Sequence, residues 1–107
     1  MTIRDLEPKL IWEQFDDITK VPRPSKKEGK IIEWLVDFAR KHGFDYQKDT
    51  IGNVVIRKAA TPGFEDRPCV ILQSHMDMVC EKRSDVKFDF ENDPIRTFIK
   101  DGWVYAE

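Results

Sequence analysis

Two residues in this sequence combine a type and a spacing that could do chemistry together, His75 and Asp77, in the stretch Leu72-Gln73-Ser74-His75-Met76-Asp77-Met78-Val79. A neutral imidazole is a common ligand for zinc and related ions. A carboxylate can hold its other ring nitrogen, which fixes the tautomer and makes the imidazole a better ligand. His-x-Asp divides that work between two side chains. The spacing alone is a weak signal, and its ordinary alternative is a polar loop that follows a strand.

A catalytic zinc ion takes about three protein ligands and keeps one position open. Few other groups in the sequence qualify. His42 lies at the end of a helical pattern, where attraction to the helix dipole is sufficient reason for it. Cys69 falls in an apolar run and reads as core, and Cys80 reads as a loop thiol. Glu81, Asp85, Asp89, Glu91 and Asp93 are numerous, but their spacing fits no ligand cage, so a solvated loop is expected. Arg23, Lys26, Lys27 and Lys30 cluster where a helix begins and could attract an anion, although a solvated face is the simpler reading. Neither a Gly-rich phosphate loop nor a Gly-x-Ser-x-Gly elbow occurs, and Ser74 has no assigned role as a nucleophile.

The elements that must position the pair follow from the hydrophobic pattern. Cys69-Val70-Ile71-Leu72, bounded upstream by Gly63 and Pro68, reads as a strand buried on both faces. His75 and Asp77 would then sit just past its carboxyl end, where functional groups collect in α/β sheets. Upstream, Leu6, Leu10, Ile11, Phe15 and Ile18 recur at helical spacing, which predicts an amphipathic helix from about Asp5 to Lys20 with Asp16 and Asp17 on its polar face. Val21-Pro22-Arg23-Pro24 ends it in an extended elbow. Ser25 with Glu28 has the form of a capping box, and the second helix would run from there to a left-handed end at Gly43. Trp12, Phe15, Trp34 and Phe38 are at packing positions of these helices. An antiparallel hairpin is expected from Phe44–Gln47 and Asn53–Arg57, and a second one turns at Asp101-Gly102.

Composition narrows the function classes. At 107 residues with 40% hydrophobic content, one domain with a single core is expected, burying roughly 65% of the unfolded surface. Charged residues make up 36%, yet 18 basic against 20 acidic leaves a net charge of −2. A nucleic-acid partner is therefore not expected, because such modules carry a basic excess or stripe. No apolar run approaches the roughly 18 residues of a membrane span, and no secretory signal opens the chain. A cytoplasmic protein with two reduced cysteines and no membrane partner is the expectation.

The segment from Leu72 to Val79 resembles the first metal motif of the M20 metallopeptidase family, an apolar strand followed by His-x-Asp-x-Val. Three further stretches resemble the branch of that family that cleaves aminoacyl-histidine dipeptides: Val21-Pro22-Arg23-Pro24-Ser25 with Glu28, Asp49-x-x-Gly52-Asn53, and Phe90-Glu91-Asn92-Asp93-Pro94-Ile95. Essentially all 107 residues are covered. The resemblance implies a dipeptidase with two zinc ions, or cobalt or manganese in their place, acting on dipeptides of the Xaa-His type and forming a homodimer at full length. It implies His75 as a ligand to one metal and Asp77 as the residue that orients its imidazole. The family's bridging Asp, its Glu-Glu pair with the general base and its other ligands fall later in the chain. Residues 1–107 are accordingly expected to be the truncated N-terminal portion of a catalytic domain, inactive alone and prone to self-association. The fold expected is α/β, two helices packed on a mixed β-sheet, as the start of a zinc-peptidase domain. Alternatives are another M20 hydrolase, either a tripeptidase or an N-acyl amino acid deacylase, and a binding domain without chemistry.

Overall fold

The structure, a computed structural model, describes residues 1–107. Proline decides where the first helix begins. Pro8 has no amide to donate and its carbonyl accepts the first bonds, from Ile11 N at 3.1 Å and Trp12 N at 3.3 Å. Helix α1 is therefore Lys9–Thr19, and Ile3–Asp5 forms a separate 3-10 turn before it. The faces of α1 also differ from the periodicity reading. Asp16 and Thr19 are its buried residues, whereas Leu10, Ile11 and Phe15 are exposed. The cause is Arg4, which reaches from the 3-10 turn to Asp16 Oδ2 at 2.9 Å and Asp17 Oδ1 at 2.6 Å, while Lys20 Nζ meets Asp16 Oδ2 at 2.5 Å. Desolvation raises the Asp16 pKa, but the hydrogen bonds from Lys20 and Arg4 outweigh it and hold the carboxyl below its usual range.

Helix α2, Gly29–Lys41, buries Ile31, Val36 and Ala39 and ends at His42 and Gly43, the latter with φ +68° as expected. The Ser25/Glu28 capping box does not form. Glu28 Oε1 accepts instead from Lys26 N at 2.6 Å, and the Ser25 hydroxyl is committed elsewhere. The packed face of α2 lies against an antiparallel hairpin of β1, Asp45–Lys48, and β2, Val54–Arg57, in register from Asp45 opposite Arg57 to Lys48 opposite Val54. A second antiparallel hairpin joins β3, Thr97–Lys100, to β4, Trp103–Ala106. Asp101 and Gly102 both take positive φ, 51° and 78°, as a tight two-residue turn requires.

The α/β class and both helices agree with the sequence reading. The sheet consists of two separate antiparallel hairpins, and parallel pairing is confined to one bridge between Pro24 and Met78. The expected buried strand at Cys69–Leu72 is not found. Val70, Ile71 and Leu72 are 79%, 85% and 92% exposed, and no backbone hydrogen bond ties them to a neighbour. A strand exists by virtue of its ladder, and no other segment of the chain forms one with this run. Cys69, expected in the core, is exposed, and both cysteines are free.

The single core is also reduced. Buried apolar residues are limited to Ile3 in the turn before α1, Pro24 in the elbow, and Ile31, Val36 and Ala39 on the packed face of α2. The radius of gyration is 16.5 Å, above the roughly 13 Å of a closed domain this long. No helix is long and apolar enough to cross a membrane.

Candidate functional site

The elbow between α1 and α2 is the part of the fold that holds His75 and Asp77 in place. Arg23 fixes the elbow to the end of α1 by donating from Nη1 to the Ile18 carbonyl at 2.6 Å. Met78 N then donates to the Arg23 carbonyl at 2.8 Å, and Ser25 N donates to the Met78 carbonyl at 3.2 Å. Pro24, buried between these two bonds, needs no amide partner of its own. On the other side, Lys27 pairs with the Glu91 carboxylate, Lys30 Nζ donates to the Glu91 carbonyl at 2.7 Å, and Ile95 N donates to the Thr19 carbonyl at 3.0 Å. Three of the four basic residues that could have attracted an anion are thus occupied within the chain, Arg23 on a helix end and Lys27 and Lys30 on the Glu91 loop.

The structure brings His75 and Asp77 into contact. His75 Nδ1 lies 2.9 Å from Asp77 Oδ1 and 2.9 Å from the Asp77 carbonyl oxygen. Both of those atoms can only accept, so Nδ1 must carry the proton. In the neutral ring that leaves the Nε2 lone pair free. The His75 side chain is 80% exposed and that of Asp77 31%. The second carboxylate oxygen, Oδ2, accepts from Ser25 Oγ at 2.5 Å. The hydrogen bond from Ser25, and after it that from His75, holds the Asp77 carboxyl below the ordinary carboxylate range.

This donor arrangement suits a metal in part. An imidazole with one nitrogen held by a carboxylate and the other open is how a histidine is prepared as a ligand. The set stops there, since no three side chains among His, Cys, Asp and Glu converge on one point. His42 is remote in role, its ring 4.4 Å from Phe38 and 5.8 Å from Phe44 by centroid, in an aromatic run that continues to Trp34. Cys80 Sγ donates to the Met78 carbonyl. The acidic loop binds itself: Asp89 accepts from Glu91 N and Asn92 Nδ2, and Asp93 from Asp89 N. An apolar hollow of about 340 Å³ lined by Met78, Val79, Val86, Phe88, Phe90 and Ile95 lies beside the pair but includes neither member of it.

Sequence reasoning missed Ser25, which it assigned to a helix cap. No local pattern could have found its contact, because Ser25 and Asp77 are 52 positions apart.

No family model matches the chain. The chain is 41% identical over 104 residues to the cytosol non-specific dipeptidase of Escherichia coli K12, an alignment that takes in 97% of this chain and 21% of that protein. It also superposes on the crystal structure of an aminoacylhistidine dipeptidase from Vibrio alginolyticus with a TM-score of 0.95 and 43% identity, covering 100% of this chain and 22% of the other. The chain therefore spans about a fifth of the length of these relatives and is similar to them along essentially its whole length.

Proposed function

We propose that this chain supplies part of the active site of a zinc-dependent dipeptidase of the M20 family, with His75 as a metal ligand through Nε2 and Asp77 as the residue that orients it. The observation that carries the reading is the His75–Asp77 contact, which leaves Nε2 free on an exposed ring, in a chain similar throughout to dipeptidases. Dipeptides, among them those of the Xaa-His type, are the substrate class. Two zinc ions, with cobalt or manganese as substitutes for the same nitrogen and oxygen donors, would supply Lewis acidity at the scissile carbonyl and an activated water. The part played by this chain is to hold the His75 ring in one tautomer and one orientation.

A catalytic zinc site needs more ligands than His75 alone, so the remaining ligands and the general base belong to residues outside positions 1–107. The 107-residue chain by itself is accordingly inactive. We place the complete enzyme in the cytoplasm, as a homodimer.

The test is hydrolysis of a dipeptide panel, Xaa-His and others, by the protein expressed from its complete gene, with and without a chelator. Zinc-restored cleavage of dipeptides is expected. Absence of cleavage in zinc, or cleavage indifferent to the chelator, overturns the reading.

A further inference from the structure

We infer that Ser25 is a positioning residue for His75, acting through the Asp77 carboxylate. The inference rests on the reading of His75 as a metal ligand. The torsion that rotates a carboxylate about its Cβ–Cγ bond is broad, so a single hydrogen bond from His75 to Oδ1 would leave the carboxylate plane free to turn. Ser25 removes that freedom. Its Oγ is 2.5 Å from Asp77 Oδ2 and 3.4 Å from the Met78 carbonyl, so its one proton is committed to the carboxylate as a short charge-assisted bond.

Ser25 can serve as an anchor because it is itself held. Its amide donates to Met78, and the preceding Pro24 is buried with a restricted φ in the bridge to Met78. The hydroxyl makes no bond within the elbow, so capping of α2 does not explain it. A chain of support therefore runs from the backbone of the elbow through the Ser25 hydroxyl and the Asp77 carboxylate to His75 Nδ1. The free Nε2 is at the far end of that chain.

The test uses Ser25→Ala, Ser25→Cys and Ser25→Thr in the protein expressed from its complete gene. The backbone pairing with Met78 is left intact in all three, and Cys is a poor donor of similar volume. Two readouts do not depend on turnover: the ring ¹⁵N shifts of His75 by histidine-selective NMR of the metal-free protein, and zinc affinity by competition with a chromogenic chelator. Expected for Ala and Cys are shifted His75 ring ¹⁵N resonances, with the Asp77 carbonyl still holding the Nδ1–H tautomer, and zinc affinity lowered by roughly 3–10-fold, one step weaker than loss of a direct outer partner, with Thr restoring both. Wild-type His75 ring ¹⁵N shifts and zinc affinity in Ser25→Ala, alongside weakened zinc binding in Asp77→Asn, overturns the inference and leaves the site reading standing. Unchanged zinc binding in Asp77→Asn overturns both.

Discussion

The Nδ1 nitrogen of His75 and the Oδ1 oxygen of Asp77 lie 2.9 Å apart, with the Asp77 carbonyl oxygen equally close to the same nitrogen. Two acceptors on one ring nitrogen settle which nitrogen bears the proton. They also state what Asp77 contributes that an amide would not. Asp77→Asn keeps the shape, but an amide oxygen accepts more weakly and its NH₂ can rotate in to face the ring. On the proposed reading, this substitution in the protein expressed from its complete gene is expected to lower activity or metal affinity by roughly 10–100-fold. Metal content and steady-state kinetics of the purified variant check it, and wild-type values in both would remove the role assigned to Asp77.

Asp49 organises the turn between β1 and β2. Its Oδ1 accepts from the backbone of Ile51 at 3.0 Å, Gly52 at 2.8 Å and Asn53 at 2.9 Å, and its Oδ2 accepts from Asn53 Nδ2 at 2.7 Å. One side chain thus accepts from three successive amides, of which only that of Gly52 has a backbone acceptor as well, the task an N-cap residue performs for a helix. Asp49→Ala is expected to lower Tm by about 5 °C, and Asp49→Asn by less, since an amide oxygen still accepts. Circular dichroism melts decide it. Equal melting of Asp49→Ala and the parent chain would mean that the turn holds without its side chain.

Acid should unfold the chain through this same class of groups. The carboxyls of Asp5, Asp49 and Asp77 are held down by hydrogen bonds, from the Thr2 backbone, Asn53 and Ser25 respectively, and Asp16 is held down by Lys20 and Arg4 against its desolvation. A carboxyl lower in the folded state binds fewer protons there than in the unfolded chain. Its stabilisation is complete above the unfolded value of about 3.9 and is lost as pH falls through the lower folded values. Stability is therefore expected to be level from pH 7 to about 5 and to fall below about pH 4, with a shallower fall in Asp49→Asn. A flat Tm from pH 5 to 2.5 would contradict the assignment.

The glycines at positions 29 and 52 should respond to alanine with opposite signs. Gly52 has φ +108°, and a Cβ there would lie 2.8 Å from Ile32 Cδ1. The Ile32 tip can move aside, but the backbone angle cannot be relieved in this way. Gly52→Ala is expected to cost roughly 1–2 kcal/mol. Gly29 opens α2 with nothing within 4 Å of a built Cβ, so Gly29→Ala should stabilise by up to about 0.5 kcal/mol. Urea titration of the pair provides an internal control. A stabilised Gly52→Ala would show that the turn can adopt another conformation.

The elements legible in the sequence were those decided by their own residues. Gly43 ended α2 and Asp101-Gly102 turned the second hairpin because positive φ is a local demand that few residues meet. The side chains that touch across long separations gave no such sign. Arg4 turned Asp16 inward, opposite to the amphipathic pattern, and Asp77 took the Ser25 hydroxyl away from the capping box. His75 and Asp77 were found because adjacency in sequence kept their contact local. The third member of the group needed the folded elbow.

The run Val70-Ile71-Leu72 has the composition of a buried strand and is nearly fully exposed, with no backbone-to-backbone hydrogen bond along it. Burying three such side chains is worth several kcal/mol, each contributing about 1.5–3, and a free strand edge gives a second chain a ladder to join. The chain in isolation is therefore expected to self-associate, with apparent mass rising across micromolar concentrations in sedimentation or light scattering. Ile71→Lys should suppress this by placing a charge in the middle of the run, while leaving α2 and the first hairpin, to which Ile71 makes no backbone hydrogen bond, with unchanged circular dichroism. Charge on exposed Lys82 or Arg83 lies outside the run, so Lys82→Glu should change the association little. A monodisperse monomer at high concentration, or association indifferent to Ile71→Lys, would mean that the exposed run is not the adhesive surface.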